Sequence, residues 1–536
     1  MYGKMYSACL YGIDGVIIEV EVDLSNGLPQ TSIIGLPDSA IREAVERVRA
    51  AIKNCGFRFP MQRVTINLAP ADLRKEGSAF DLAIALGILV TSNQLVLPTE
   101  TKLLIIGELA LDGTLRPVTG VLSMVDRAKR EGFHGVLLPR ENAAEAALIA
   151  GIPIYSLNHL QELLYPSTPR PKASRKESDD PIVLSSLSYL QVTPSVSYSV
   201  ASTNRGLNKY EDYSDVLGQQ HVKRALTIAA AGMHNILLIG PPGTGKTMLI
   251  KRLPTILPSL TEQEALDTTK IFSAAGKLKE TDTGLLNRRP FRSPHHTISS
   301  AGLIGGGTIP KPGEVSLAHR GILFLDELPE FSRHVLEVLR QPLEERSVTI
   351  SRAKAVITFP AHFMLAASMN PCPCGYLGSD HPEHRCTCSE ARITQYRSKI
   401  SGPLLDRIDL QVDVPRPKEW SREKFGLSSQ EMKDQVVAAH AIQLSRYKGF
   451  PFSWNSELSG SQLREQASLR TDTADMLQQT LEALGLSMRA YDRIIKLSRT
   501  IADLEGKANI EAYHVAEAIQ YRNLDRQQLN MDERSM

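Results

Sequence analysis

Several features that would restrict where this chain works are scarce or missing. Lys and Arg number 61 against 59 Asp and Glu, so neither sign of charge dominates and any basic surface must be local. The first residues, MYGKMYSACLYGIDG, lack the basic region and apolar core of a secretory signal. The longest apolar run in a predicted helix, residues 82–90, is too short to span a bilayer. We therefore expect a cytoplasmic protein without a membrane segment.

Cysteine is also rare, with six residues in a chain of 536, and four of the six lie within residues 372–388. This usage predicts a reducing compartment rather than a disulfide framework. The sequence has no internal repeat and no Asp-x-Ser-x-Ser motif, which excludes a metal-dependent adhesion domain of that type. The length predicts about three to four domains of an ordinary globular protein.

The strongest signal is the octapeptide GPPGTGKT, which follows an apolar run at 235–239 and precedes a helical pattern from Met248. A strand, a glycine-rich loop and a helix in this order form a phosphate-binding site. Its backbone N–H groups cradle phosphates, Lys246 reaches the β- and γ-phosphates, and the Thr247 hydroxyl ligates Mg²⁺. The predicted ATP-binding residues are Gly240, Pro241, Pro242, Gly243, Thr244, Gly245, Lys246 and Thr247.

A second motif supports the same chemistry. Residues 322–327, ILFLDE, predict a buried strand that ends in two carboxylates, as a Walker B motif does. Asp326 would hold Mg²⁺ through water, and Glu327 would orient the attacking water. Together the two motifs predict an ATPase with ATP and Mg²⁺ as cofactors.

The order of predicted elements indicates an α/β fold in four segments. Residues 1–165 form a compact domain, and the Pro- and Ser-rich residues 166–210 form a linker. Residues 211–419 carry both ATPase motifs and a cysteine-rich insertion at 372–388, and residues 420–536 have a helical pattern. In the first segment, we predict strands at 16–24, 63–68, 103–106 and 135–138, and helices at 38–55, 80–90 and 121–130.

The first segment resembles a Lon-type proteolytic domain, with the α+β fold of domain 2 of ribosomal protein S5. KEGSA at 75–79 lies where that family carries its serine nucleophile, and GELALDG at 107–113 and GVLSMVDRA at 120–128 lie near its lysine. Ser78 matches the nucleophile, but the lysine position is Met124, whose thioether cannot take a proton. A serine without a base is a weak nucleophile, so we expect a loop or capping hydroxyl and no peptidase activity.

From residue 211 the chain resembles the magnesium-chelatase-like branch of the AAA+ ATPases. The motifs are FRSPHHT at 291–297, GLIGGG at 302–307 and PKPGEVSLAHRG at 310–321. Joined to the Lon-like segment, they resemble the ComM/YifB family along almost the whole chain. This resemblance implies a P-loop core with a helix-2 insert, a β-hairpin before sensor 1, and a C-terminal helical lid. It also implies a homo-hexameric DNA branch-migration helicase of natural transformation or recombination, with DNA and recombination or DNA-uptake proteins as partners.

The same resemblance assigns roles to three polar residues. Asn370 ends an apolar strand at 365–370 and would be the sensor that helps to place the lytic water. Arg407 would be the arginine finger supplied to a neighbouring subunit, and Arg489 the second sensor on nucleotide. A single arginine of this kind is also often an intrachain surface pair.

Residues 347–359 have two β-rich halves around a polar centre and predict a hairpin with Arg352 and Lys354 at or near its tip. The pattern alone indicates a solvent-facing hairpin, whereas the resemblance implies one that projects into a ring pore and binds DNA. The Gly-Gly-Gly run at 305–307 and the Pro-rich residues after it cannot continue a helix and are expected to form a loop that interrupts one. The basic residues around this loop are Arg288, Arg289, Arg292 and Lys311.

Two cysteine pairs, Cys372 with Cys374 and Cys386 with Cys388, are separated by eleven residues. Such pairs predict a tetrahedral zinc site, although one residue between ligands is tighter than the usual two. His381 and His384 are spare ligands. Four reduced surface thiols are the less favoured alternative, because exposed thiols are reactive.

Three functions remain open from the sequence. A DNA motor ranks first, a protein remodeller second and a chelatase-type motor subunit third. Met124 and the absence of an aromatic residue from 302–307 argue against the remodeller. The Lon-like segment and the cysteine pairs argue against the chelatase subunit.

Overall fold

The computed structural model describes most of the chain and divides it into two compact units. The first unit contains residues 1–202 with 266–286, and the second contains residues 203–265 with 287–536. No helix in the described part of the chain is both long and apolar enough to cross a membrane. The described residues are 1–98, 102–163, 182–184, 186–192, 212–278, 284–307, 310–352, 355–378, 385–416, 426–485 and 487–522.

The first unit is built on a mixed sheet. Its strands are β1 (Tyr2–Tyr11), β2 (Asp14–Ser25), β3 (Gln30–Ile34), β4 (Arg63–Ala69), β5 (Leu95–Val96), β6 (Leu103–Ile105), β7 (Glu108–Leu109), β8 (Leu115–Arg116), β9 (Gly135–Pro139), β10 (Ile154–Leu157) and β11 (Ile182–Val183). Its complete helices are α1 (Ser39–Asn54), α2 (Asp81–Thr91), α3 (Val121–Arg130) and α4 (Ala143–Ala146). Seven strands form the main sheet in the order β10-β9-β6-β1-β2-β4-β3.

The elements predicted for this unit are confirmed, with ends that differ by one or two residues. Asp38 caps α1, because its carboxylate accepts the Ile41 N–H at 2.8 Å. Gly56 ends the same helix with a left-handed φ of +84°. Strand β1 was not predicted; its antiparallel pairing with β2 and parallel pairing with β6 place it in the sheet.

Part of the predicted linker is ordered on the first unit. The short strand β11 pairs in parallel with β5, and a 3₁₀ turn follows at Ser188–Leu190. Leu184, Leu187 and Leu190 are buried in the core of that unit. A few apolar residues within a polar segment were too weak a signal to predict this contact. The rest of the predicted linker lies outside the described residues.

The second unit combines a parallel sheet with many helices. Its strands are β12 (Ile236–Ile239), β13 (Phe291–Arg292), β14 (Gly305–Gly306), β15 (Lys311–Pro312), β16 (Ile322–Leu325), β17 (Ser347–Arg352), β18 (Ala355–Pro360), β19 (Met364–Met369) and β20 (Leu410–Asp413). The remaining helices, of which α7 is shared between the units, are α5 (Gln220–Gly232), α6 (Lys246–Lys251), α7 (Glu262–Ala274), α8 (Ser300–Ile304), α9 (Glu314–Leu317), α10 (Arg333–Glu337), α11 (Arg340–Glu345), α12 (Glu390–Arg397), α13 (Gly402–Leu405), α14 (Ser429–Arg446), α15 (Gly460–Gln466), α16 (Thr471–Ala483), α17 (Met488–Leu504) and α18 (Ala512–Gln520).

Five parallel strands form the sheet of the second unit in the order β13-β16-β19-β12-β20. Strands β12, β16 and β19 are buried along their whole length, which explains their continuous apolar sequences. The phosphate loop follows β12, the two acidic residues follow β16, and Asn370 follows β19. Because carboxyl ends of parallel strands share one edge of a sheet, all three features meet there.

The C-terminal helices share a hydrophobic core with this sheet. Ile236 and Leu238 of β12 belong to the same buried cluster as Ile494 and Ile501 of α17. The predicted α/β fold class with a C-terminal helical region is confirmed. The further division of the second unit into a core ending at 419 and a lid beginning at 420 stays a prediction.

The insert between the two ATPase motifs differs from its prediction. Gly302 lies inside the short helix α8, whose first turn is capped by Ser299. Gly305 and Gly306 then pair antiparallel with β15 and form a small hairpin. The glycine run at 305–307 therefore does not continue the helix, as predicted, but Gly305 and Gly306 form a strand instead of a plain loop because β15 supplies a pairing partner.

Candidate functional site

The phosphate loop has the predicted order of strand, loop and helix, from β12 to α6. Gly243 and Gly245 have left-handed φ values of +79° and +87°, which glycine adopts without strain. A Cβ on Gly240 would lie 2.3 Å from the carbonyl oxygen of Val414, so only glycine fits at the start of the loop. These glycines let the backbone curl around a bound anion.

Lys246 is held in the loop without a ligand. Its Nζ donates to the carbonyl oxygens of Gly240 at 2.6 Å and Pro241 at 2.9 Å. It also donates to the side-chain oxygen of Asn370 at 3.2 Å. Burial lowers the pKa of Lys246, and the charges of Asp326 and Glu327 partly oppose that effect. A bound triphosphate would add negative charge beside this buried amine.

The Mg²⁺ ligands predicted from sequence meet across the sheet. The Thr247 hydroxyl donates to Asp326 at 2.9 Å. Ser368 of β19 donates to the other oxygen of the same carboxylate and accepts the backbone N–H of Glu327 at 3.3 Å. Hydroxyl and carboxylate oxygens suit Mg²⁺, so Thr247 and Asp326 would hold the ion directly or through water. Ser368 was not predicted to belong to the site, although a serine in an otherwise apolar strand could have indicated a polar role there.

Glu327 occupies a strained backbone position. Its φ of +54° and ψ of +52° lie in the left-handed region, which is unfavourable for a residue with a Cβ. The carboxylate is exposed at the edge where Lys246 and Asp326 lie. Strain of this kind costs about 1–3 kcal/mol and recurs at functional sites. This geometry fits the predicted role of orienting a water molecule.

The cysteine cluster, defined as Cys372, Cys374, Cys386 and Cys388, lies next to this site. All four thiols are free, and their sulfur atoms lie within 4.8 Å of one another. The Cys372–Cys374, Cys372–Cys386 and Cys374–Cys386 sulfur distances are 3.3, 3.7 and 3.6 Å. A tetrahedral site with Zn–S bonds of about 2.3 Å needs sulfur separations of about 3.8 Å. The predicted alternative ligands His381 and His384 lie outside the described residues.

Arg407 and Arg489 lie at the opposite edge of the sheet from the phosphate loop. Arg407 precedes β20, and its backbone oxygen accepts from Asn235, directly before β12. Strand β12 then carries the chain about 13 Å further before the loop begins. The Arg407 guanidinium is buried and pairs with Glu344 at 2.7 Å, whereas Arg489 is 66% exposed and lies 3.6 Å from Asp406. In this chain neither arginine is assembled with the phosphate loop.

A buried ion pair supports this opposite edge. Asp409 bonds to Arg493 of α17 and accepts the backbone N–H of Asn235 at 3.0 Å. Burial would raise the pKa of Asp409, but the charge of Arg493 and the neighbouring His234 imidazole overcome this effect and hold that pKa below its usual range. Arg493 lies one turn beyond Arg489 on the same helix and was not predicted to have a role.

The predicted hairpin is formed by β17 and β18, with Arg352 paired to Ala355 at its end. Arg352 is exposed, and one of its terminal nitrogens lies 3.7 Å from the position that a Cβ would occupy on Gly306. The side chain of Ile350 also approaches Gly305. The hairpin therefore packs beside the β14–β15 insert. Lys354 lies outside the described residues.

Two of the four basic residues predicted near the insert have structural partners. Arg289 is buried and pairs with Glu264 at 3.1 Å, and Arg292 pairs with Glu314 at 2.6 Å. Lys311 is exposed on β15. Arg288 is also exposed, so two of the four basic residues are open to solvent, and Lys311 is the one that lies on the insert beside the hairpin.

In the first unit, Ser78 has a partner that the sequence did not indicate. Its hydroxyl donates to Glu108, which also pairs with Arg116 at 3.3 Å. Met124 is buried on α3. Ser78 does not cap α2, whose N-cap residue is Phe80. The expected loop hydroxyl is therefore the description that fits Ser78, and a carboxylate is intrinsically a weaker base than a lysine amine.

Three family models match successive parts of the chain. Residues 212–422 match the model described as "Magnesium chelatase, subunit ChlI", residues 20–142 match "Subunit ChlI of Mg-chelatase", and residues 426–522 match "Magnesium chelatase, subunit ChlI C-terminal". Competence protein ComM of Haemophilus influenzae is 42% identical over 530 residues, covering 97% of both chains. Protein YifB of Salmonella typhimurium is 42% identical over 525 residues, also with 97% coverage of each chain.

The chain belongs to the ComM/YifB family. It is a magnesium-chelatase-like AAA+ protein, and the family identifies it as an ATPase that uses ATP and Mg²⁺. More distant relatives include the magnesium-chelatase 38 kDa subunit of Cereibacter sphaeroides, which is 22% identical over 330 residues. That alignment covers 88% of the chelatase subunit but 56% of this chain. The ComM/YifB relatives therefore describe the whole protein better than the chelatase subunits do.

Proposed function

We propose that this protein is an ATP-driven homo-hexameric motor on DNA, promoting branch migration during natural transformation or recombination. The coarse function, an AAA+ ATPase, follows from the family. Support for DNA comes from the competence protein ComM, similar along almost the whole chain. Recombination or DNA-uptake proteins are the partners that such a motor would meet.

The observation that carries the DNA proposal is the pair of adjacent inserts in the second unit. The β17–β18 hairpin and the β14–β15 insert pack together and expose Arg352 on β17 and Lys311 on β15. Basic side chains on such projections bind phosphates without reading sequence. In a ring, copies from several subunits would contact one backbone, as a motor that moves along varied sequences requires.

Support for the ring comes from the separation of the arginines and the phosphate loop. Arg407 and Arg489 lie at the amino edge of the sheet, where its parallel strands begin. Lys246 lies at the carboxyl edge, where the strands end. An arginine that stabilises the transferred phosphoryl group must reach it directly. As the family resemblance implies, Arg407 would then serve the nucleotide of a neighbouring subunit, and ATP hydrolysis would require assembly.

A double substitution of the hairpin tests the DNA proposal. Arg352→Ala with Lys354→Ala should abolish movement of three-strand and forked DNA while basal ATPase remains largely intact. The salt dependence of single-strand binding should also fall, by about 0.7 in log–log slope for each phosphate that the variant no longer binds. The matched control is Arg464→Ala with Arg470→Ala, which removes two exposed charges from the C-terminal helices.

Wild-type branch migration by the hairpin double variant would contradict the proposal. The second candidate is a chelatase-type motor subunit, favoured by the description of the matching family models. That function requires no DNA, so the hairpin variants and the salt series would leave it unchanged. A protein remodeller is the third candidate, and unfolding of a tagged protein substrate that survives in the hairpin variant would favour it.

We also propose that the cysteine cluster binds one Zn²⁺ per chain. The three sulfur separations of 3.3–3.7 Å given above are close to the edges of a Zn–S₄ tetrahedron. Elemental analysis of protein purified without chelator should find about one zinc per chain. Less than about a tenth of a zinc per chain would contradict the site.

A further inference from the structure

The cysteine cluster is joined to the nucleotide site through its first pair. Cys372 follows Asn370 by two residues. The side-chain oxygen of Asn370 accepts a hydrogen bond from Nζ of Lys246 at 3.2 Å. Cys372 is fully buried. A metal bound to this thiolate would therefore fix the backbone immediately after the residue that contacts the phosphate-loop lysine.

Gly375, directly after the second cysteine, touches the phosphate loop itself. Its φ is +84°, and a Cβ placed on it would lie 2.7 Å from Cδ of Pro242 and 3.9 Å from Cγ of Asn370. Contacts below 3.0 Å are not tolerated by a real Cβ, so the backbone at Gly375 is packed against the loop. Gly378, three residues on, also has a left-handed φ of +76° but has nothing within 4 Å of such a Cβ.

The second cysteine pair returns the chain to the same place. Cys388 precedes Ser389, the N-cap residue of α12. At the other end of α12, two guanidinium nitrogens of Arg397 each donate to the Pro371 carbonyl oxygen at 3.2 Å. The buried Tyr396 hydroxyl on the same helix lies close to the backbone N–H of Asn370. Residues 370 and 371 are thus held both by the first cysteine pair and by the helix that follows the second.

We propose that Zn²⁺ in the cysteine cluster positions the sensor Asn370 and the phosphate-loop residue Pro242 for hydrolysis. The inference rests on the proposed zinc site and on the ATPase function. Four metal–sulfur bonds would join the two cysteine pairs and hold α12 against Asn370. Loss of the metal releases the sensor segment and lowers the hydrolysis rate, whereas Lys246 and Thr247 remain to bind ATP.

Removal and return of the metal tests this proposal in the intact protein. Zinc is released with a mercurial thiol reagent, the thiols are regenerated, and zinc content, hydrolysis and affinity for a fluorescent ATP analogue are measured. The stripped protein should lose at least about tenfold in kcat, because misplacement of catalytic groups by about 1 Å costs up to 10²-fold. Affinity for the analogue should change much less, and added Zn²⁺ should restore kcat where extra Mg²⁺ does not.

A glycine pair supplies a test that leaves the metal in place. Gly375→Ala should lower kcat on the order of tenfold, because its new methyl group displaces Pro242, whereas Gly378→Ala should not. Both substitutions put alanine at a positive φ, so equal Tm values and equal zinc contents separate positioning from folding. Cobalt loading should give the thiolate-to-cobalt absorption of a tetrahedral site in both variants.

The outcomes separate the failures from one another. If the purified protein contains no zinc, the proposed metal site is contradicted. If Lys246→Ala hydrolyses ATP at the wild-type rate, the ATPase assignment is contradicted. Zinc-loaded and zinc-stripped proteins that hydrolyse ATP at the same rate would overturn the positioning role alone. So would a Gly375→Ala protein that turns over ATP as fast as the Gly378→Ala protein.

Discussion

Lys246 and Glu327 are expected to act at different steps of hydrolysis. The buried amine of Lys246 faces the phosphates, so Lys246→Ala should weaken nucleotide binding. The exposed carboxylate of Glu327 acts on water, so Glu327→Gln should keep ATP bound but hardly hydrolyse it. Binding of a fluorescent ATP analogue and phosphate release measure the two effects separately. Wild-type turnover by Glu327→Gln would remove the role assigned to that residue.

Ser78 is expected to make no acyl-enzyme. Its hydroxyl donates to a carboxylate paired with Arg116, and the position of the family's lysine is Met124. Purified protein should therefore not cleave casein with or without ATP, and Ser78→Ala should leave ATPase activity unchanged. ATP-dependent cleavage that disappears in Ser78→Ala would show that Glu108 is a sufficient base.

At the scale of an element, helix α17 carries two arginines one turn apart with different expected roles. Arg493 neutralises the buried Asp409, so Arg493→Ala should destabilise the protein by about 3 kcal/mol or more. Arg489 is exposed beside Asp406, and its pair should contribute less than about 1 kcal/mol. Denaturant unfolding should show a large loss for Arg493→Ala and almost none for Arg489→Ala.

ATPase assays of the same two variants test the predicted second sensor. Arg489→Ala should lower hydrolysis at an unchanged stability, because an exposed arginine at the amino edge is free to reach a neighbour's nucleotide. Normal hydrolysis by a folded Arg489→Ala protein would leave that arginine as an ordinary surface pair.

At the scale of the whole molecule, the active site is expected to form between subunits. Arg407→Ala should keep ATP binding and lose hydrolysis by on the order of 10³-fold. Mixing it with Lys246→Ala should restore part of the activity, because each protein supplies the group that the other lacks. Two affinity tags verify that the rings contain both variants. If such mixed rings hydrolyse no ATP at any mixing ratio, a site shared between subunits is contradicted.

The sequence was sufficient where local chemistry decides the structure. The phosphate loop, the acidic end of β16 and the Asp38 cap of α1 were predicted because spacing and residue type allow few alternatives. The four clustered cysteines were found for the same reason. Continuous apolar runs gave β12, β16 and β19, since strands of a parallel sheet are buried on both faces.

Tertiary structure decided what no short segment contains. Ser368 meets Asp326, Arg493 meets Asp409 and Gly375 meets Pro242 only because distant elements pack together. Glycines of the insert became helix and strand because a cap and a pairing partner were available. The sequence by itself determined the ATPase chemistry, because phosphate binding depends on a local loop. The placement of both arginines away from that loop was decided by the parallel order of strands, since strand pairing is set by contacts far apart in the chain.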